Sequence, residues 1–113
     1  MCRIGLTISV LGLLLAGGAG CERIPQICED SCKQQARCDP NFSDYGYAIR
    51  DCRSDCEDYL EDQVRDVGDA CSNAILDYRE CETTLSCTAL LDHDYSACDT
   101  ESLRMSQRCE EQW

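Results

Sequence analysis

Apolar and polar positions divide the chain in two. From Ile4 to Ala16 the apolar run is almost unbroken and has no polar face. From Gln26 onward apolar residues recur at helical spacing among charges. In this second part Gln26 to Arg37 reads as a helix that sets Cys28 and Cys32 one above the other on one face. Pro25 suits its first position, and Asp39-Pro40 ends it because a residue before proline is steered away from helix. Asn41 to Gly46 reads as a loop with Phe42 and Tyr45 turned inward. The clearest helix follows: Tyr45, Ile49, Cys52, Cys56, Tyr59, Leu60, Val64 and Val67 fall at steps of three and four, with Asp51, Asp55, Asp58, Glu61 and Asp62 on the other faces. Gly68 is placed to stop it. A third helix is expected from about Asp69, with Cys71, Ala74, Ile75, Tyr78 and Cys81 on one stripe and a break at Thr83-Thr84. Ser86 is placed to cap a short turn over Cys87 to Leu91. Asp92-His93-Asp94 then connects to a last helix carrying Cys98, Ser102, Met105 and Cys109. No strand periodicity occurs. The expected fold class is all-α: a small disulfide-stapled bundle of four or five short helices after a cleaved signal peptide.

The leader sets the address. Met1-Cys2-Arg3 gives a short basic start, and the apolar run is shorter than the ~20 residues needed to span a bilayer. It suits the hydrophobic region of a signal peptide. Gly17-Gly18-Ala19-Gly20 places small residues directly before Cys21. This end resembles the lipobox of bacterial lipoproteins, in which small residues precede a cysteine. The resemblance implies that Cys21 is lipid-modified on sulfur and becomes the acylated mature N-terminus. The family prefers Leu three residues before the cysteine, where this chain has Gly18. An ordinary signal peptidase, which also reads small residues such as Gly18 and Gly20, would cut at the same bond or near it. The chain accordingly divides into a signal peptide (1–20), an acylated N-terminus and short tether (21–27) and a cysteine-rich helical domain (28–113). Fully extended at ~3.3–3.6 Å per residue, the stretch from Cys21 to Cys28 reaches only roughly 25 Å, so the domain is expected close to its membrane.

Cysteine arithmetic agrees with the lipobox. The 113 residues hold 12 cysteines, a disulfide-scaffold composition suited to an exported chain. Removing the leader discards Cys2 and leaves an odd number. Setting Cys21 aside as acylated leaves Cys28, Cys32, Cys38, Cys52, Cys56, Cys71, Cys81, Cys87, Cys98 and Cys109, an even set. Large apolar residues are few, and a domain of this size needs the ~2–4 kcal/mol that each disulfide contributes. The cysteines lie on the inward stripe of each helix, as core and staple together. Two facing C-x3-C helices packed antiparallel would join Cys28 to Cys56 and Cys32 to Cys52. Cys38, Cys71 and Cys81 would pair with Cys87, Cys98 and Cys109 in an order left open. The twin pair resembles the C-x3-C helical hairpin of small mitochondrial intermembrane-space chaperones; the likeness covers four cysteines and geometry alone.

Charge narrows the partners. Lys and Arg number 10 against 22 Asp and Glu, for a net charge of −12. Nucleic acid is excluded as a partner because phosphate binding needs clustered cations, and the domain gains nothing from an anionic membrane surface. A basic protein or another envelope ligand fits the charge, and so does a merely solvated surface. No cofactor motif occurs. Zinc sites use C-x2-C pairs with matching Cys or His; the spacing here is C-x3-C and His93 is the sole histidine, so no metal is expected. Asp92-His93-Asp94 is the one compact titratable cluster. Read as a calcium loop from Asp92 it fails, with Ala97 at the glycine position and Leu103 at the bidentate glutamate. No base accompanies a nucleophile, no redox C-x-x-C occurs, and the carboxylates spread over helix surfaces. An enzyme is not expected.

The layout as a whole resembles uncharacterised cysteine-rich lipoproteins of the myxobacterial type. The features carrying the likeness are the Gly-Ala-Gly-Cys leader end, C28-x3-C32-x5-C38, C52-x3-C56, C71-x9-C81-x5-C87 and C98-x10-C109. The resemblance implies an envelope location, anchored by lipid to the inner or outer membrane with the domain outside the cytoplasm, and implies no activity. The expected function is a non-enzymatic binding or structural module. The alternative is a protease inhibitor or toxin-like effector, secreted or anchored, with Phe42 to Tyr47 as its exposed loop.

Overall fold

The computed structural model describes residues 19–42 and 49–110, with side chains from Glu22 onward. The leader before residue 19, the side chain of Cys21, residues 43–48 with Tyr45 and Tyr47, and Trp113 lie outside the described residues. Among the described residues there are five α-helices: α1 (Ala19–Cys38), α2 (Ile49–Arg65), α3 (Asp69–Glu82), α4 (Cys87–Leu91) and α5 (Asp99–Cys109), with a 3₁₀ turn over Ser96–Cys98. No strand occurs among the described residues. The fold is an all-α bundle stapled by disulfides.

The architecture is two hairpins. In the first, α1 and α2 run antiparallel, joined by Cys28–Cys56 and Cys32–Cys52. Two C-x3-C pairs can be bridged in this order because residues four apart sit one turn apart on the same helix face. In the second, α3 and α5 run antiparallel, joined by Cys71–Cys109 at one end and Cys81–Cys98 at the other. Ten residues separate the rungs on α3 and eleven on the opposing stretch, a matched rise of roughly 15–16 Å. Cys38–Cys87 ties the end of α1 to the start of α4. It is the disulfide that links one hairpin to the other.

The hairpins meet where α1 and α2 pack on α3. Leu76 of α3 is fully buried against Ile24, Ile27 and Cys28 of α1 and Leu60 of α2. A second cluster holds Cys32, Phe42 and Cys52, and a third holds Cys71, Ile75 and Cys109 with Val64, Val67 and Met105 packed on it. Six of the fourteen buried hydrophobic residues are cysteines, so the staples are also part of the core. Gln34 is the one buried polar residue among the described set, 5% exposed. Its carboxamide donates to the carbonyl of Glu82 (2.9 Å), which also accepts from the Leu85 amide (3.2 Å), and to that of Leu85 (3.0 Å), just beyond the end of α3.

Local chemistry sets the helix ends, in places differently from the sequence pattern. The first helix does not open at Pro25: it begins at Ala19 and carries Pro25 inside. Ile24 and Ile27, in the stretch expected to act as a tether, are core residues. The second helix stops at Arg65, and Gly68 is not its left-handed stop. With φ −70° and ψ 168° Gly68 is extended and precedes α3. Val67 is thereby freed to turn into the third cluster. Thr83 and Thr84 end α3 because their hydroxyls donate to the carbonyls of Glu80 and Cys81, each at 2.7 Å. Ser86 caps α4, its Oγ accepting from the Ala89 amide at 3.0 Å. Ile49 and Tyr59, assigned by periodicity to the inward stripe of α2, are exposed.

Candidate functional site

The ten domain cysteines are all consumed, each in a disulfide with another of the ten. None is a thiolate, so none is available as nucleophile or metal ligand. This matters at Cys81, Cys98 and Glu101, whose ligand atoms lie within 4.8 Å of one another. Two of the three are one disulfide, and a single half-buried carboxylate remains. The arrangement does not fit a metal ion.

Asp92-His93-Asp94 has a structural explanation. His93 is left-handed, with φ 56°. Its amide donates to the carbonyl of Leu90 (3.2 Å), and the Asp94 amide donates to that of Ala89 (2.8 Å). Those two bonds form a Schellman termination of α4, with His93 at the position glycine usually holds. Asp94 turns away from the imidazole toward Ser96, accepting from its amide (3.1 Å) and its hydroxyl (2.7 Å). These donors hold the Asp94 carboxyl below the ordinary carboxylate range. His93 and its acidic neighbours shape a helix end, and the left-handed residue is visible only once the backbone is known.

A groove between α1, α2 and α3 encloses a volume of about 340 Å³. Its floor is apolar: Ile27 from α1 and Leu60 and Cys56 from α2. Its polar rim brings together Ser31 and Gln35 of α1, Asp55 and Tyr59 of α2, and Arg79, Glu82 and Thr83 from the end of α3. At the rim the terminal nitrogens of Arg79 are engaged, while its buried Nε has no hydrogen-bond partner among the described residues. Its Nη1 donates to Glu82 at 3.0 Å and its Nη2 reaches the Tyr59 hydroxyl and the Gln63 carboxamide, each at 3.4 Å. The guanidinium carbon lies 5.7 Å from the Tyr59 ring centroid and 5.8 Å from that of Tyr78. Both distances are within cation–π range. Burial, followed by the Glu82 carboxylate, pushes the Tyr78 hydroxyl above its ordinary range. Sequence reading missed this group. Arg79 and Glu82 look like a surface i,i+3 pair, and Tyr59 looks like a core residue; only the crossing of α2 and α3 makes one cluster of them.

A shallower hollow lies between Asp77, Glu80 and Cys81 of α3 and Glu101 and Arg104 of α5. Asp77 and Glu80 are already occupied by Arg23, at 2.8 and 3.0 Å. Several other basic side chains also pair internally: Lys33 binds Glu29, Arg53 reaches Glu29 and Glu57, Arg50 pairs with Asp51 and Arg65 with Asp62. The Lys33 ammonium also holds the Glu29 carboxyl below its ordinary range. With so many cations satisfied internally, the surface presented to a partner is acidic. No protein-family model matches the chain, and comparisons with curated proteins and with solved structures give no match.

Proposed function

We propose that the chain is the precursor of an envelope lipoprotein, acylated at Cys21, whose disulfide-stapled domain is a non-enzymatic binding module outside the cytoplasm. The observation that carries this reading is the closed cysteine ledger. All ten domain cysteines pair among themselves, leaving none to take the sulfur of Cys21. A cysteine directly after Gly18-Ala19-Gly20, with no domain partner, is the residue lipid transfer would use.

The course of α1 adds support. Pro25 inside a helix removes the bond to the Cys21 carbonyl. In a chain cut before Cys21 the missing bond would be the first of the helix, at its N-terminal end, rather than one in its interior. Ile24 and Ile27 sit in the core, so the anchored residue leads into packed helix. Cys28 then lies only ~10 Å along the axis from Cys21, and the domain rides against its bilayer. Among the described residues no helix is long and apolar enough to cross a membrane, so attachment falls to the lipid. A single acyl chain holds weakly and two or more hold firmly. The inhibitor alternative loses ground at Phe42, which is only 8% exposed and so is not offered to a protease.

Mass spectrometry of the protein from its host tests the anchor. Acyl chains on Cys21 at the mature N-terminus are expected. A mature chain starting at Ala19, or an unmodified Cys21, overturns the reading.

A further inference from the structure

We infer that Cys38–Cys87 is an exchangeable clasp, opened by a dithiol of the thioredoxin type to free α4 from α1 as an intact flap. The inference goes beyond the binding-module reading and does not depend on the lipid at Cys21. Three features set this bridge apart. Of the five bridges it alone joins the two hairpins, since the other four each lie within one hairpin. Cys38 and Cys87 are both half-buried, whereas every other bridge includes a buried cysteine: Cys28, Cys32 with Cys52, Cys71 with Cys109, or Cys98. An attacking thiolate needs access to a sulfur, and accessible bridges are the labile ones.

The third feature is how little else holds α4 to α1. None of its five residues is buried, and its hydrogen bonds close within residues 86–94. Ser86 caps its start through the Ala89 amide, and the His93 and Asp94 amides return to Leu90 and Ala89 at its end. Among the described residues no hydrogen bond or ion pair joins residues 87–91 to α1. The helix is therefore self-capped and keeps its shape without the bridge. Both roots of the flap stay fixed. Leu85 is buried and bonded by Gln34, and Cys98 is tied to Cys81 of α3. Leu76 and its partners keep the hairpins packed, so opening moves residues 86–97 and leaves the rest in place.

The chemistry is thiol–disulfide exchange. A thiolate of the dithiol attacks Sγ of Cys38 or Cys87 and forms a mixed disulfide as the Cys38–Cys87 bond breaks. The departing sulfur takes a proton. The second thiol of the dithiol then loses its proton and displaces the protein sulfur, which is protonated in turn. Two electrons and two protons pass to the protein, and the dithiol leaves as a disulfide.

A thioredoxin-fold oxidoreductase whose second active-site cysteine is replaced by serine tests the site by trapping the mixed disulfide. With the protein isolated from its host in neutral detergent, peptide mass should place the adduct on Cys38 or Cys87 alone. The unaltered oxidoreductase in its dithiol form should then give a species with new thiols at those two positions and four closed bridges. In that species amide order parameters over residues 87–94 should fall from about 0.85 to below about 0.6. Helical carbon shifts in α4 should persist, and α1, α2, α3 and α5 should stay rigid. Cys38→Ala with Cys87→Ala should form no adduct and show the same mobility without reductant. An adduct on another bridge, no adduct, release of all five bridges in one step, or an α4 that is unmoved or melted in the open species each overturn the inference.

Discussion

The carboxamide of Gln34, near the C-terminal end of α1, donates to the backbone carbonyl of Leu85, 51 residues away and 3.0 Å distant. The same nitrogen reaches the Glu82 carbonyl. One side chain from the first hairpin thus terminates the central helix of the second, in a place water does not reach. The contact couples helix capping to hairpin packing. The Glu82 carbonyl also accepts from the Leu85 amide at 3.2 Å, so it is the Leu85 carbonyl that depends on Gln34.

Removing that donor should destabilise the oxidised protein more than a typical surface change. Gln34→Ala leaves the buried Leu85 carbonyl unpaired, and a loss of about 1–3 kcal/mol is expected. Gln34→Glu keeps the shape, replaces donors with a carboxylate facing two carbonyls, and should cost more. Urea unfolding of the three proteins under non-reducing conditions gives the order. A loss within error for Q34A would mean that the junction is held by apolar packing alone.

The five bridges should not be equally resistant to reduction. Cys38 and Cys87 are both half-buried, whereas every other bridge has at least one fully buried cysteine. An attacking thiolate needs access to a sulfur. Cys38–Cys87 should therefore open first as dithiothreitol rises, read by alkylation and peptide mass. Removing it as Cys38→Ala with Cys87→Ala should keep all five helices and lower stability by about 2–4 kcal/mol. Loss of Cys71–Cys109 or Cys32–Cys52 ahead of it would refute the ordering.

Helical class and the five elements were legible because the cysteines stand where core leucines would, at steps of three and four, and carry the amphipathic signal themselves. Thr83-Thr84 and Ser86 could be read as punctuation for the same local reason: their hydroxyls act within four residues. The rest depends on distant partners. Nothing around Gln34 distinguishes it from solvent-facing Gln35 until α3 ends beside it. Tyr59 fits the inward stripe of α2, yet Arg79 draws its ring outward to the groove rim. Ile24 and Ile27 looked like tether because Pro25 between them is a plausible helix start, and only the packing of Leu76 shows that the helix is already under way. The groove unites side chains from positions 27 to 83, so no local motif announces it.

His93 should be replaceable. As the left-handed residue that ends α4, it occupies a position where glycine carries no steric penalty. His93→Gly should fold normally and be equal or up to about 1 kcal/mol more stable, the gain limited by the freer unfolded chain. His93→Val should lose about 1–2 kcal/mol, because a branched side chain disfavours positive φ. Thermal unfolding of both variants checks the pair. A destabilised H93G with an unaffected H93V would show that the imidazole makes a contact the backbone does not explain.

Asp94 should mark the acid limb of stability. Its carboxylate accepts from the amide and hydroxyl of Ser96, and those bonds favour the charged form, lowering its pKa from the ordinary 3.8. A carboxyl with a depressed folded-state pKa stabilises the fold at pH above its unfolded value, and that contribution disappears as pH falls through the lower folded value. The affected window therefore lies at and below about pH 4, and neutral pH is untouched. Ser96→Ala removes the hydroxyl and keeps the amide, so the Asp94 carboxyl should titrate closer to its ordinary value without reaching it. Asp94→Asn should flatten this part of the acid limb while leaving a side-chain oxygen for the Ser96 amide. Carbon-detected NMR titration of the carboxyl, run beside acid unfolding, reads both. An unchanged Asp94 midpoint in S96A would mean that the amide alone sets the charge, and that the hydroxyl serves only to hold the loop into α5.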